Sequence, residues 1–273
     1  MLTFTFAGCK DKTPDPIPTD EELDALEVTT DTDLEDVIID EPEITNDPEV
    51  DDALDEPVAK PAEDPEYPPR GENHTITGVP DAVDTKTSDD GDVLVLVNKL
   101  HAVSKDYKPK GMVYMDNSLS TWENLELKEE AYEAYKKMYA DAKDLGFNLK
   151  VCSAYRTYDT QVGLFNNSVK NRGWETTYLR SAYPGRSEHH TGLSVDITSK
   201  SMGWNLSQDF ADYEDGEWLN THCQDYGFIV RYPKDKTDIT GYAYEPWHFR
   251  YVGEEVAKYI MENNLTLEEY LEK

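Results

Sequence analysis

Charge divides this chain more sharply than any other property, and it limits where a core can form. Residues 1–90 carry 28 acidic against 5 basic side chains, a net of −23, whereas residues 91–273 carry 29 against 21, a net of −8. In the first third proline recurs beside acids, as at Asp15-Pro16, Glu41-Pro42, Asp47-Pro48, Glu56-Pro57 and Asp64-Pro65. Aromatic residues are nearly absent there and no apolar period persists. Such a segment cannot bury enough surface to offset the entropy lost on ordering its backbone. The expectation is a disordered acidic tether over 10–90, stretched by self-repulsion beyond the ~50 Å of a flexible coil of that length. Residues 91–273 are then the folded domain, read as a monomer.

The same charge balance excludes some functions. Nucleic-acid binding needs a basic footprint, and none is visible. No stretch is long and apolar enough to span a bilayer. Cys9 follows Phe6-Ala7-Gly8, the kind of small-residue approach to cysteine found at a bacterial lipoprotein cleavage site, although the apolar run of residues 2–6 is short for a signal core. Residues 1–9 therefore read as the remnant of a lipoprotein signal segment. A lipid on Cys9 would anchor the chain at the extracellular face of the cytoplasmic membrane. Cys152 and Cys223 remain as an even pair, which permits a disulfide; two buried free thiols satisfy the sequence equally well.

Within the domain, 127–145 reads as an amphipathic helix with Ala131, Tyr135, Met138, Ala142 and Leu145 on one face and Gly146 as its stop. A strand over 147–153 follows, then a helix from about Asp159 with Val162, Phe165 and Val169 on its inner face. A further helix over 217–226 stops at Gly227 and precedes a strand over 228–232. Val256 and Ile260 mark another amphipathic helix, and Thr266 with Glu269 has the spacing of a capping box. The fold class is α+β, a small and mainly antiparallel sheet flanked by helices.

Chemistry concentrates in two stretches about fifty residues apart. Ser187-Glu188-His189-His190-Thr191-Gly192-Leu193-Ser194-Val195-Asp196 offers an imidazole and, seven residues on, a carboxylate; Glu245-Pro246-Trp247-His248 offers a carboxylate and then an imidazole. Leu193, Val195 and Ile197 alternate with Ser194, Asp196 and Thr198, a strand pattern with one apolar face and one polar face directed to a cleft. Trp247 to Val252 reads as a second strand beside it. His189, Asp196 and His248 suffice for a catalytic zinc that keeps one position open. His190 is an alternative ligand on residue type alone. Glu245 is left over, either as the base on a zinc-activated water or as a carboxylate that orients His248. His101 and His222 are read as packed or surface residues.

These stretches, with Ser153-Ala154-Tyr155-Arg156-Thr157-Tyr158, Gln161 and Tyr226-Gly227-Phe228-Ile229-Val230-Arg231-Tyr232-Pro233, resemble the VanY-type zinc D-alanyl-D-alanine carboxypeptidases, in the wider group of lysostaphin-like peptidases and the hedgehog signalling domain. The resemblance runs from about Val93 to the C-terminus. It implies one zinc in a cleft on the sheet, with His189 rather than His190 as ligand beside Asp196 and His248, and Glu245 as general base. It implies that Arg156 lies in the substrate cleft, where its planar fork suits a carboxylate or a developing oxyanion, and that Gln161 and Ser187 hydrogen-bond the substrate. The implied partner is a peptidoglycan stem peptide, losing its terminal D-alanine. An L,D-carboxypeptidase, a crosslink endopeptidase and a zinc-containing wall-binding module without activity are the alternatives.

Overall fold

The computed structural model describes residues 82–272. Cys9 and residues 10–81 of the tether expected over 10–90 lie outside the described residues. Ordered contacts begin before residue 91. Strand β1 (Asp84–Lys86) pairs in parallel with β2 (His101–Val103), and the buried Asp89 carboxylate meets the buried Lys128 ammonium at 2.7 Å. The acidic composition that suggested a tether continues a few residues into the fold because its acids there are paired. An antiparallel pair follows, β3 (Met112–Tyr114) with β4 (Glu126–Lys128).

Helix α1 (Glu129–Asp144) begins two residues later than its pattern implied, because Leu127, wholly buried, is spent in β4 opposite Val113. Ala131, Tyr135, Met138 and Ala142 are wholly buried on its inner face, the larger of them worth about 1.5–3 kcal/mol each. Leu145, expected on that face, is the C-cap and is 58% exposed. After β5 (Leu149–Ser153), α2 (Tyr158–Arg172) is capped by the Thr157 side chain, and α3 (Trp174–Arg180) packs on it. Gln161, Phe165 and Val169 make the buried face of α2; Val162 is only half-buried.

A short 3-10 turn, Glu188–Thr191, leads into β6 (Ser194–Ser199). Helix α4 (Glu214–His222) passes into a 3-10 turn, Cys223–Tyr226, which ends at Gly227. That glycine has φ 83°, and a Cβ there would meet the Tyr251 ring at 2.8 Å, so both backbone and space require its small size. The chain continues through β7 (Phe228–Val230), α5 (Thr237–Thr240), β8 (His248–Tyr251), α6 (Glu254–Glu262) and α7 (Leu267–Leu271). Thr266 and Glu269 form the expected capping box at α7.

Strands β5, β6, β8 and β7 form one antiparallel sheet in that order. Its apolar face (Val151, Val195, Ile197, Phe228, Val230, Phe249) packs with Leu127, Tyr135 and Met138 in the main core. The other face is more enclosed than the alternation in β6 implied. All six residues of β6 are buried, with Ser194 on Glu188 and Thr198 on the Asn205 carbonyl, and of this strand Asp196 alone borders the cleft. Cys152 and Cys223 are both buried free thiols, so the permitted disulfide is not formed.

Candidate metal centre

Antiparallel register brings the separated motifs together. Asp196 on β6 stands opposite His248 on β8 and opposite Ser153 on β5, at an irregularity in the β5 register. The 3-10 turn then lays His189 over the end of this row, held by the Arg156 N–H on the His189 carbonyl at 3.2 Å. Gly192 closes that turn with φ 69°, and a Cβ there would meet the Met112 sulfur at 2.6 Å.

The resulting donor atoms of His189, Asp196 and His248 all lie within 4.8 Å of one another, and all three residues are buried. The His189 Nδ1–H donates to the Ala154 carbonyl at 2.6 Å, which leaves Nε2 facing Asp196 Oδ2 at 3.3 Å. Burial lowers His189 to about 4, so at neutral pH its Nε2 lone pair confronts a carboxylate oxygen. Two lone pairs aimed at each other in a buried place call for a cation. His248 Nδ1 lies 2.8 Å from Asp196 Oδ1. Burial works to lower His248, but hydrogen bonds to Asp196 and Glu188 overcome it and raise it to about 9. Burial likewise works to raise Asp196, yet the two imidazoles hold it well below the usual carboxylate range. His190 is placed differently. Its Nε2 accepts the Gly185 N–H at 3.0 Å and its Nδ1 donates to the Arg156 carbonyl at 2.8 Å, so both nitrogens are committed to backbone.

The pocket over the donors is also lined by Arg156, Ser187, Glu245, Tyr232 and Trp247, and by Arg172 and Arg180 from α2 and α3. Arg156 donates from Nη2 to Asp196 Oδ2 and from Nε to Ser153 Oγ, both at 2.9 Å. Glu245 is 8% exposed; burial pushes its carboxyl up to about 8, with His248 pulling the other way. Gln161 is placed otherwise than expected. It lies buried beneath the pocket wall, where its amide donates to the Ala182 carbonyl at 2.8 Å and its Oε1 has no partner. It supports a wall residue rather than lining the cavity.

Sequence reasoning passed over Glu188, which is buried between Ser187 and His189 in the chain. Its Oε2 faces His248 Nε2 at 3.4 Å, and its Oε1 accepts from Arg231 Nε at 2.6 Å and Arg250 Nη1 at 2.8 Å. With Nδ1 on Asp196 and Nε2 on Glu188, neither ring nitrogen of His248 is available to Glu245. The signal was a second carboxylate inside the first motif, besides Asp196, and two arginines next to apolar residues at the end of β7 and within β8.

Residues 124–254 match the VanY family, described as D-alanyl-D-alanine carboxypeptidase. The bifunctional D-Ala-D-Ala dipeptidase and carboxypeptidase VanXYC of Enterococcus gallinarum is 35% identical over 179 residues, covering 65% of this chain and 92% of that protein. Among solved structures, the LD-carboxypeptidase LdcB is 46% identical with TM-score 0.62, covering 66% of this chain and 86% of the other. A mutant of the vancomycin-resistance D,D-pentapeptidase VanY, in complex with Zn(II), is 32% identical with TM-score 0.56, covering 66% of this chain and 98% of the other. This chain belongs to the VanY family of D-alanyl-D-alanine carboxypeptidases.

Proposed function

We propose that the chain is a zinc-dependent carboxypeptidase that releases the terminal D-alanine of peptidoglycan stem peptides. The observation that carries this reading is the meeting of His189, Asp196 and His248 beside Glu245 in one pocket of a VanY-family domain. The donor set fits the metal: two imidazoles and one carboxylate, with one imidazole nitrogen already fixed on a backbone carbonyl. Bound there, zinc supplies a Lewis acid and lowers the pKa of a water molecule toward neutrality.

The chain's own residues do the rest. Glu245, with no ring nitrogen of His248 to orient, takes a proton from the attacking water and returns it to the departing amine. In the metal-free site its burial raises that carboxyl toward neutral pH. Arg156, fixed on Ser153 and Asp196, stabilises the negative charge that develops on the scissile carbonyl oxygen. Ser187 holds the peptide at the wall. Three guanidinium groups around the pocket suit a substrate that ends in a free carboxylate, which favours a carboxypeptidase over an endopeptidase.

A second reading concerns which bond is cut. The LD-carboxypeptidase neighbour is 46% identical and the D,D-pentapeptidase neighbour 32%, which favours action on the L,D bond of a shortened stem. One experiment tests both. Purified full chain with zinc is given a stem pentapeptide ending in D-Ala-D-Ala and a tetrapeptide ending in one D-alanine. Free D-alanine from the first supports D,D cleavage, and from the second L,D cleavage. Split muropeptide dimers without D-alanine, or zinc binding with no hydrolysis of any substrate, would refute the carboxypeptidase reading.

A further inference from the structure

The charged groups that surround Glu188 form a closed account except at one point. Its side chain has no solvent exposure, nor do those of Arg231 and Arg250. Arg231 uses Nε on Glu188 and both remaining nitrogens on Glu268, at 2.9 and 2.7 Å, and Glu268 also accepts from Asn98 at 3.0 Å. Arg250 uses Nη1 on Glu188, Nη2 on the Val93 and Val95 carbonyls at 2.8 Å each, and Nε on the Tyr251 carbonyl. Two carboxylates and two guanidinium groups balance in charge without any contribution from His248. Glu188 Oε1 serves the arginines, so what remains is Oε2, which accepts from Ser194 Oγ at 3.2 Å and faces His248 Nε2 at 3.4 Å.

We propose that Glu188 is the positioning residue of the site: its Oε2 fixes the proton of His248 on Nε2 and so leaves Nδ1, the nitrogen beside Asp196, to bind the metal. This rests on the zinc reading of His189, Asp196 and His248. An imidazole has two nitrogens, and a hydrogen bond at one decides what the other can do. Glu188 is an acceptor on both oxygens, so the nitrogen it faces must carry hydrogen. The Tyr232 ring, stacked on His248 at 4.9 Å and 28°, holds the ring plane, and Glu188 sets which way round its protons sit. The arginines hold Glu188 in turn. Two donors on Oε1 prevent the carboxylate from turning, and Glu268 and the Val93 and Val95 carbonyls prevent the arginines from following it.

The arginines also make the replacement of Glu188 by glutamine informative. A glutamine must direct its one carbonyl oxygen at Arg231 and Arg250, because an amide N–H facing two guanidinium groups would be left without an acceptor. Its NH2 then faces His248 Nε2 and donates to it. That reverses the demand: Nε2 must now accept, and the proton is driven to Nδ1, the nitrogen the metal requires. Glu188→Gln keeps the shape of the side chain and inverts its instruction to the ring.

The test measures metal affinity on the full chain by competition with a chromophoric chelator, using Co(II) and Zn(II), for wild type, Glu188→Gln and Glu268→Gln. Glu268→Gln disturbs the same ionic cluster one residue further from the ring and serves as the structural control. Glu188→Gln is expected to weaken binding ~10-fold or more, and Glu268→Gln by no more than about 3-fold. An affinity within about twofold of wild type for Glu188→Gln overturns the proposal, and so does an equal loss in both variants, which would mark the cluster as structural. If wild type binds neither metal, the zinc reading fails and the proposal falls with it. Should Glu188→Gln not fold, wild type loaded with 113Cd and labelled with 15N-histidine decides. Cadmium–nitrogen coupling at His248 Nδ1 with a slowly exchanging proton on Nε2 supports the assignment, and coupling at Nε2 overturns it.

Discussion

Glu245→Gln should make the metal-free protein more stable, and the advantage should grow with pH. The Glu245 carboxyl is buried and raised to about 8, against about 4.3 for an unperturbed glutamate. A carboxyl raised in the folded state contributes stability that is complete below its unfolded pKa and is lost as pH rises through its folded one. Between those values the native state holds a proton that the unfolded chain does not, so stability falls by about 1.4 kcal/mol per pH unit. From pH 5 to pH 7 wild type should therefore lose about 3 kcal/mol that the glutamine variant keeps. Groups remote from Glu245 titrate alike in both proteins, so the difference reports this carboxyl together with its coupling to His248. The assay is urea unfolding of both proteins with chelator at pH 5, 6, 7 and 8. A stability difference that stays flat within about 1 kcal/mol, or narrows with pH, would refute the reasoning. The same variant should retain zinc and lose turnover by roughly 100-fold, the range for removing a positioned acid–base group.

Alanine at His189, Asp196 or His248 should abolish stoichiometric zinc and D-alanine release together; full zinc occupancy in any of the three would remove that residue from the ligand set. Cys152 and Cys223 should resist alkylation in the native protein and react once it is unfolded without reductant, whereas protection that persists in urea would indicate a bridge. A chain starting at residue 80 should unfold cooperatively and keep its activity on soluble peptides. One starting at residue 98 should lose both, since it lacks the Asp89 partner of Lys128 and the two carbonyls that hold Arg250; wild-type activity in that chain would show these contacts to be dispensable.

Much of the site was legible because antiparallel pairing has a simple grammar. Alternation around Asp196 and the strand character of 247–252 made it natural for Asp196 and His248 to meet, and the register pairs them directly. Gly227 and the Thr266–Glu269 box were readable for the same reason: each effect acts within a few residues. What escaped the sequence was long-range or depended on direction. Leu127 belongs to a strand because Val113 lies across from it, and nothing in the local helical period records that. Gln161 has a binding residue's chemistry but faces Ala182 from below. Arg231 directly follows β7 and Arg250 lies within β8, positions where the sequence suggests exposed charge, yet they are the largest fully buried side chains among the described residues. Their partners are Glu188, 43 and 62 residues away, and Val93, 157 residues away.

Arg250 holds the segment ahead of β2 by the carbonyls of Val93 and Val95 rather than by their side chains. Main-chain oxygens are present whatever the residue, so this anchor places little demand on the spelling of the segment. Glu188, Arg231 and Glu268 hold one another through side chains and can change only together. In chimeras between relatives, residues 82–97 should therefore exchange freely as long as they keep this backbone path, the Asp89 partner of Lys128 and the Val95 and Val97 core positions. An exchange boundary that separates residue 188 from residues 231 and 268 should fail unless both parents carry the same ionic set. The leading segment can drift while the floor beneath the donors is inherited as a block.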